Sequence, residues 1–145
     1  MKPFLLDVNV LIALVDPSHV HNQIALAWFE AEGSGGWATC PITENGFIRI
    51  LSNPKYPNSP GGPFVVAGLL AQLKQIEGHR FWPDDISLTD TTHFNHDRIL
   101  SPASLTDSYL LGLAVSKDGV LATLDRRLVS DGVVGGAAAL RVIFG

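Results

Sequence analysis

Two short, mainly apolar runs in this chain each stop at an aspartate. Phe4-Leu5-Leu6 ends on Asp7, and Val120-Leu121-Ala122-Thr123-Leu124 ends on Asp125. A run this short with no polar alternation reads as a strand covered on both faces, the habit of parallel sheets. Gly36–Cys40, Arg80–Trp82 and Leu140–Phe144 are further strand candidates. Between them lie helix patterns. Val8–Val15 is stopped by Pro17. His19–Glu32 has Ser18 as its cap, Ala25, Trp28 and Phe29 on its inner side, and Gly33 at its end. Ile42–Leu51 stops before Asn53-Pro54, Phe64–Gln75 ends by Gly78, and Ser104–Lys117 ends near Gly119. Asn53–Pro63 is proline- and glycine-rich loop, 84–100 is irregular with at most one short helix, and Gly132–Gly136 reads as a flexible connection. Strands alternating with helices imply α/β architecture around a parallel sheet. No repeat or linker interrupts residues 1–145, which read as one domain.

Composition narrows the function classes. At 46% hydrophobic and 17% charged, the chain carries enough apolar surface for a core and is no disordered tail. Cys40 is the only cysteine, so no internal disulfide can form. With no secretory leader visible, that points to a reducing, cytoplasmic setting. Apolar runs such as Val10–Val15 and Phe64–Ala71 are too short to span a bilayer. A formal net charge of −4 argues against a broad, non-specific phosphate footprint, although bound divalent cations would invert the field locally. The high apolar content hints at a buried partner surface, such as a homodimer.

Four carboxylates stand out by their place in the apolar pattern. Asp7 and Asp125 follow buried strands, and parallel sheets put their ligand sites at the carboxyl ends of strands, at the point where strand order reverses. Glu44 shares a helical stripe with Phe47, Ile48 and Leu51; Asp107 shares one with Leu110, Leu111 and Ala114. Residues so spaced line one side of a helix, so both acids face inward, in a helix's first turns where negative charge is favoured. Taken singly, each has a plain structural reading. Asp107 can close a capping box with Ser104, Glu44 can be a first-turn acid, and the two aspartates can be turn residues. Together they would repel unless a hard cation joined them. Mg2+ and Mn2+ take oxygen ligands, and no His or Cys spacing here suits zinc. Such a set fits phosphodiester hydrolysis by metal-activated water.

Leu5-Leu6-Asp7-Val8-Asn9, Thr43-Glu44-Asn45, Thr106-Asp107-Ser108-Tyr109-Leu110 and Thr123-Leu124-Asp125-Arg126-Arg127, in that order and spacing over nearly the whole chain, resemble the PIN domain, and more narrowly the VapC toxins of bacterial toxin–antitoxin pairs. The resemblance implies a central parallel sheet of order 3-2-1-4-5 flanked by helices. It also implies Mg2+- or Mn2+-dependent endoribonuclease activity on an RNA substrate, dimerisation, and inhibition by a cognate antitoxin. Asp7, Glu44, Asp107 and Asp125 match the family's acidic positions. Asn9 matches the polar position two after the first acid, and Thr123 can hydrogen-bond a ligand residue. Arg126 and Arg127, after the fourth acid, read either as contacts to RNA phosphates or an antitoxin carboxylate or as solvated surface charge.

The remaining polar and aromatic residues have plainer readings. Arg49 reads as surface. His19, His21, His79, His93 and His96 are scattered without metal-site spacing. Trp28, Trp37, Trp82 and Tyr109 read as core rather than base-stacking platforms. Asp84, Asp85 and Asp90 read as solvated turn or cap residues. Two other functions compete. Asp7-Val8-Asn9 after a strand also resembles the nucleophile loop of haloacid-dehalogenase-type phosphatases, which further needs a lysine and a late acidic pair; Lys117 and Asp84-Asp85 fit those places poorly. A PIN-like module that binds RNA or protein without cutting is the other.

Overall fold

The computed structural model describes residues 1–144. Five strands, β1 (Phe4–Leu6), β2 (Trp37–Thr39), β3 (His79–Phe81), β4 (Val120–Thr123) and β5 (Leu140–Val142), form a wholly parallel sheet in the order β3-β2-β1-β4-β5. Five helices flank it: α1 (Val8–Val15), α2 (Asn22–Ala31), α3 (Pro41–Leu51), α4 (Pro63–Leu73) and α5 (Leu105–Ser116). β1 is the central strand, with Leu5 and Leu6 both fully buried, one toward each layer. Leu6 joins Trp37, Val10, Leu11, Phe47 and Val66 on the side covered by α1 to α4. Leu5 joins Ala38, Leu110, Leu111, Leu113 and Leu121 on the side covered by α5. From β1 the chain winds outward through β2 and β3, then crosses back to lay β4 against the other edge of β1. In open parallel sheets such a reversal is where ligands bind, beyond the carboxyl ends of the strands, here β1 and β4.

Several local expectations shift. Ser18 does not cap α2: its N–H donates to Asp16 Oδ1 at 2.9 Å, and the helix begins at Asn22, whose side chain donates to the Ala13 carbonyl at 2.7 Å. Pro41 does more than end β2; it occupies the first turn of α3, where its missing N–H goes unneeded. The last strand candidates shorten or slide by a residue, as strand ends do when pairing partners run out. The left-handed residue closing α5 is Asp118 (φ 53°), not the glycine after it. Gly119 is required for close approach instead, since a Cβ there would lie 2.8 Å from the Pro3 carbonyl oxygen and 2.7 Å from Trp82. The connection at Gly132–Gly136 is pinned rather than loose: Val133 is buried and bridges Phe94, while Asn95 and Val134 bond across the two segments at 2.9 Å each. No helix among the described residues is long and apolar enough to cross a membrane.

Candidate active site

The register of the central pair builds the site. Leu6 lies opposite Ala122, so the next residues along, Asp7 and Thr123, come side by side as the two strands end. The Asp7 N–H donates to the Ala122 carbonyl at 2.9 Å, extending the ladder by one bond. Asp7 then caps α1 in extended conformation, its Oδ1 accepting the Val8 N–H at 2.8 Å. Its Oδ2 accepts the Thr123 hydroxyl at 2.8 Å. Burial pushes the Asp7 carboxyl above its ordinary range; those two hydrogen bonds pull it back in part, and the Asp125 charge adds to the rise.

Thr123 is fully buried and its hydroxyl is saturated. Besides donating to Asp7, it accepts the Asp125 N–H at 3.1 Å and Asn9 Nδ2 at 3.3 Å. Asn9, one turn into α1, also accepts the Leu124 N–H on its Oδ1 at 3.1 Å. The bend that follows β4 is therefore clamped from two sides, and Asp125 leaves it with Oδ1 accepting the Arg127 N–H at 2.9 Å. The Arg127 side chain is almost wholly exposed, and the Arg126 guanidinium lies 5.3 Å from the Phe144 ring centroid.

Asp107 enters from α5. The capping box with Ser104 does not form: Ser104 already lies in helical backbone (φ −91°, ψ −2°) at the end of the tight turn Pro102–Ser104, and its hydroxyl makes no cap bond but donates back to the Ser101 carbonyl at 2.9 Å. The Asp107 carboxyl is pushed up to about 6 by burial, then by the charges of Asp7 and Asp125, with no hydrogen bond to offset them. Asp107 on α5 thus feels the charges of Asp7, at the end of β1, and of Asp125, just past β4, and Asp7 feels that of Asp125.

Glu44 sits apart from that trio. Its Oε2 accepts the Thr39 hydroxyl and the Lys74 ammonium, each at 2.8 Å. Neither Asp7 nor Asp107 owes any of its rise to Glu44. Among the described residues no three His, Cys, Asp or Glu side chains are drawn together tightly enough to grip a metal ion directly. The donor set still suits a hydrated hard cation. All the donors are carboxylate oxygens, and after burial the neighbouring acid charges add to the rise, Asp125 on Asp7 and both Asp7 and Asp125 on Asp107, a repulsion that a bound cation would relieve.

Other expectations settle around the site. Trp28, Trp37, Trp82 and Tyr109 are all buried, as core. Asp84 is not solvated: burial raises its carboxyl, and its Oδ1 has no partner. Lys117, which phosphatase chemistry would need beside Asp7, is ion-paired with Asp85 at 2.7 Å beyond the far end of α5 from Asp107. Thr39, Lys74 and His79 carried no signal in the sequence. Lys74 meets Glu44 only because α3 and α4 pack together.

No family model matches the chain. Curated relatives do. Ribonuclease VapC44 of Mycobacterium tuberculosis (strain ATCC 25618 / H37Rv) is 43% identical over 131 residues, covering 90% of this chain and 92% of that one. The chain belongs to the VapC ribonuclease family. Ribonuclease VapC39 of the same strain is 41% identical over 131 residues, covering 90% of this chain and 94% of its own. Ribonuclease VapC38 is 42% identical over 121 residues, covering 83% and 84%. Membership in the VapC family sets aside the phosphatase alternative. The fold agrees: the structure of FitAB bound to IR36 DNA fragment superposes with a TM-score of 0.61 at 18% identity, over 96% of this chain and 94% of that one. The sheet order is the one the PIN-domain resemblance implied.

Proposed function

We propose that this VapC-family chain is a Mg2+- or Mn2+-dependent endoribonuclease, the toxin of a VapBC-type toxin–antitoxin pair. The observation that carries the reading is Asp107. Its carboxyl is raised to about 6 beside Asp7 and Asp125, at the strand-order switch point, with no hydrogen bond to it among the described residues. Asp7, Asp107, Asp125 and Glu44 would hold the ion. Bound there, it supplies a water of lowered pKa and neutralises charge on the phosphate oxygens. Thr123 and Asn9 fix Asp7 and the bend carrying Asp125, so the carboxylates are ordered before RNA arrives. Arg126 and Arg127, just past the fourth acid, would take RNA phosphates or an antitoxin carboxylate. Storage as a homodimer with an antitoxin in the cytoplasm completes the reading, by analogy with VapC toxins.

Replacing Asp7 by Asn tests it, since that removes a ligand charge at constant volume. Cleavage of RNA is expected to be lost with the fold intact, EDTA to stop the wild type, and Mg2+ or Mn2+ to restore it. Undiminished cleavage by pure Asp7→Asn protein, or rescue by zinc alone, overturns the assignment. A second reading, a PIN-like module that binds RNA or protein without cutting, draws on the Glu44–Lys74 pair, which leaves one carboxylate already neutralised. It predicts metal-independent RNA binding and no cleavage.

A further inference from the structure

The Glu44 carboxylate already has a cation. Lys74 Nζ lies 2.8 Å from Glu44 Oε2, with only 29% and 20% of the two side chains exposed. The pair is built in. Lys74 ends α4, where positive charge is favoured, and its ammonium lies 5.3 Å from the Phe81 ring centroid. The Thr39 hydroxyl donates to the same Glu44 oxygen and is itself 2.8 Å from His79 Nε2. The His79 ring packs against fully buried Trp37, centroids 4.7 Å apart. Thr39 of β2 and Lys74 at the end of α4 thus hold Glu44 on the β2–β3 side, with His79 of β3 behind Thr39, while among the described residues no lysine or arginine is paired to Asp7 or Asp107.

We propose that Lys74 is a positioning residue, a built-in counter-cation that keeps Glu44 out of the aspartate crevice, so that a divalent ion recruits Glu44 only by displacing the ammonium. The inference rests on the metal-dependent reading above. An ammonium and a divalent ion compete for the same carboxylate charge. The long, unbranched stems of Glu44 and Lys74 let both heads swing without moving backbone. The free protein then has a site short of one ligand, and loading completes it.

Mn2+ binding by calorimetry on the whole protein tests this without recourse to cleavage. Lys74→Met keeps the stem on Phe81 and removes the charge; Lys74→Gln serves if that variant folds poorly. Mn2+ is expected to bind either variant about fivefold more tightly than wild type, the worth of a partly buried ion pair. The gain should vanish in the Glu44→Gln background. Arg80→Met, which removes an exposed charge on β3, should leave affinity unaltered. An unaltered affinity in the Lys74 variants, or a gain that persists with Gln at 44 or is matched by Arg80→Met, overturns the role of Lys74. If wild type binds Mn2+ and Asp7→Asn does not, the nuclease reading stands whatever Lys74 does. If wild type binds none, both fall.

Discussion

The Thr123 hydroxyl donates to Asp7 Oδ2 across 2.8 Å, joining residues 116 apart in the chain at the ends of neighbouring strands. The same oxygen accepts from Asp125 and Asn9, so one side chain sets the relative positions of two candidate metal ligands. Valine at this position keeps the shape and loses every bond. Thr123→Val is expected to lower stability by about 1–3 kcal/mol through the unpaired groups it leaves. It should also weaken Mn2+ affinity or cleavage about 10- to 100-fold. Thr123→Ser should stay near wild type. Thermal melts and metal titrations of the pair decide it; equal behaviour of Val and Ser removes the hydroxyl from the account.

Asp107 gives a pH signature in metal-free protein. Its folded pKa of about 6 lies above its ordinary value of 3.8, so folding favours the protonated form. That contribution is whole below 3.8 and is lost as pH rises through about 6. Asp7, also raised, acts with the same sign. Asp107→Asn abolishes the titration, so in EDTA the variant should match wild type in acid. Above about pH 6 it should be the more stable by on the order of 1 kcal/mol, after allowing for solvent screening at a half-exposed group. Urea melts across pH measure this. A constant difference between the two proteins contradicts the shift.

Arg127 holds Asp125 through its backbone N–H at 2.9 Å, while its side chain is 96% exposed. Arg127→Ala should therefore change stability by less than about 0.5 kcal/mol. RNA binding should weaken, with the slope of log affinity against log salt falling by about 0.7, the release of one counterion from a single strand. An unaltered slope places Arg127 outside the RNA path.

Gly46 lets α3 close on α1 beside the site. A Cβ there would lie 2.7 Å from Val8 Cγ2, and the Val8 N–H is the partner of Asp7 Oδ1. Gly46→Ala should destabilise by about 1–3 kcal/mol from overpacking, less about 1 kcal/mol of improved helix propensity. Metal affinity should fall with it. A variant as stable as wild type would mean that Val8 yields without cost.

Much of this architecture was legible in residue order. Unalternated runs such as Phe4–Leu6 and Val120–Thr123 mark doubly covered strands, and Val8–Val15 ends where its pattern does. The placing of Asp107 on the inward stripe with Leu110, Leu111 and Ala114 came from helical period alone, and all three apolar residues are buried. Caps were read less well. Ser18 and Ser104 have the right chemistry for capping, but α2 starts at Asn22, three residues beyond a helix capped by Ser18, and Ser104 lies in helical backbone where its hydroxyl does not reach a first-turn N–H. Local pattern proposes a partner, and the closest geometry takes it.

The sequence by itself determined which segments are buried, how they alternate and which acids lie at their ends, because burial follows the periodicity of neighbouring residues. Tertiary structure alone decided which acids share a field. Asp7, Asp107 and Asp125 do so because β1 and β4 are neighbours and α5 covers that face. Glu44 went instead to Lys74, a contact made only when α3 packs on α4. Electrostatic partners are chosen by distance in space, and no spacing along one helix records where the next helix brings its charge.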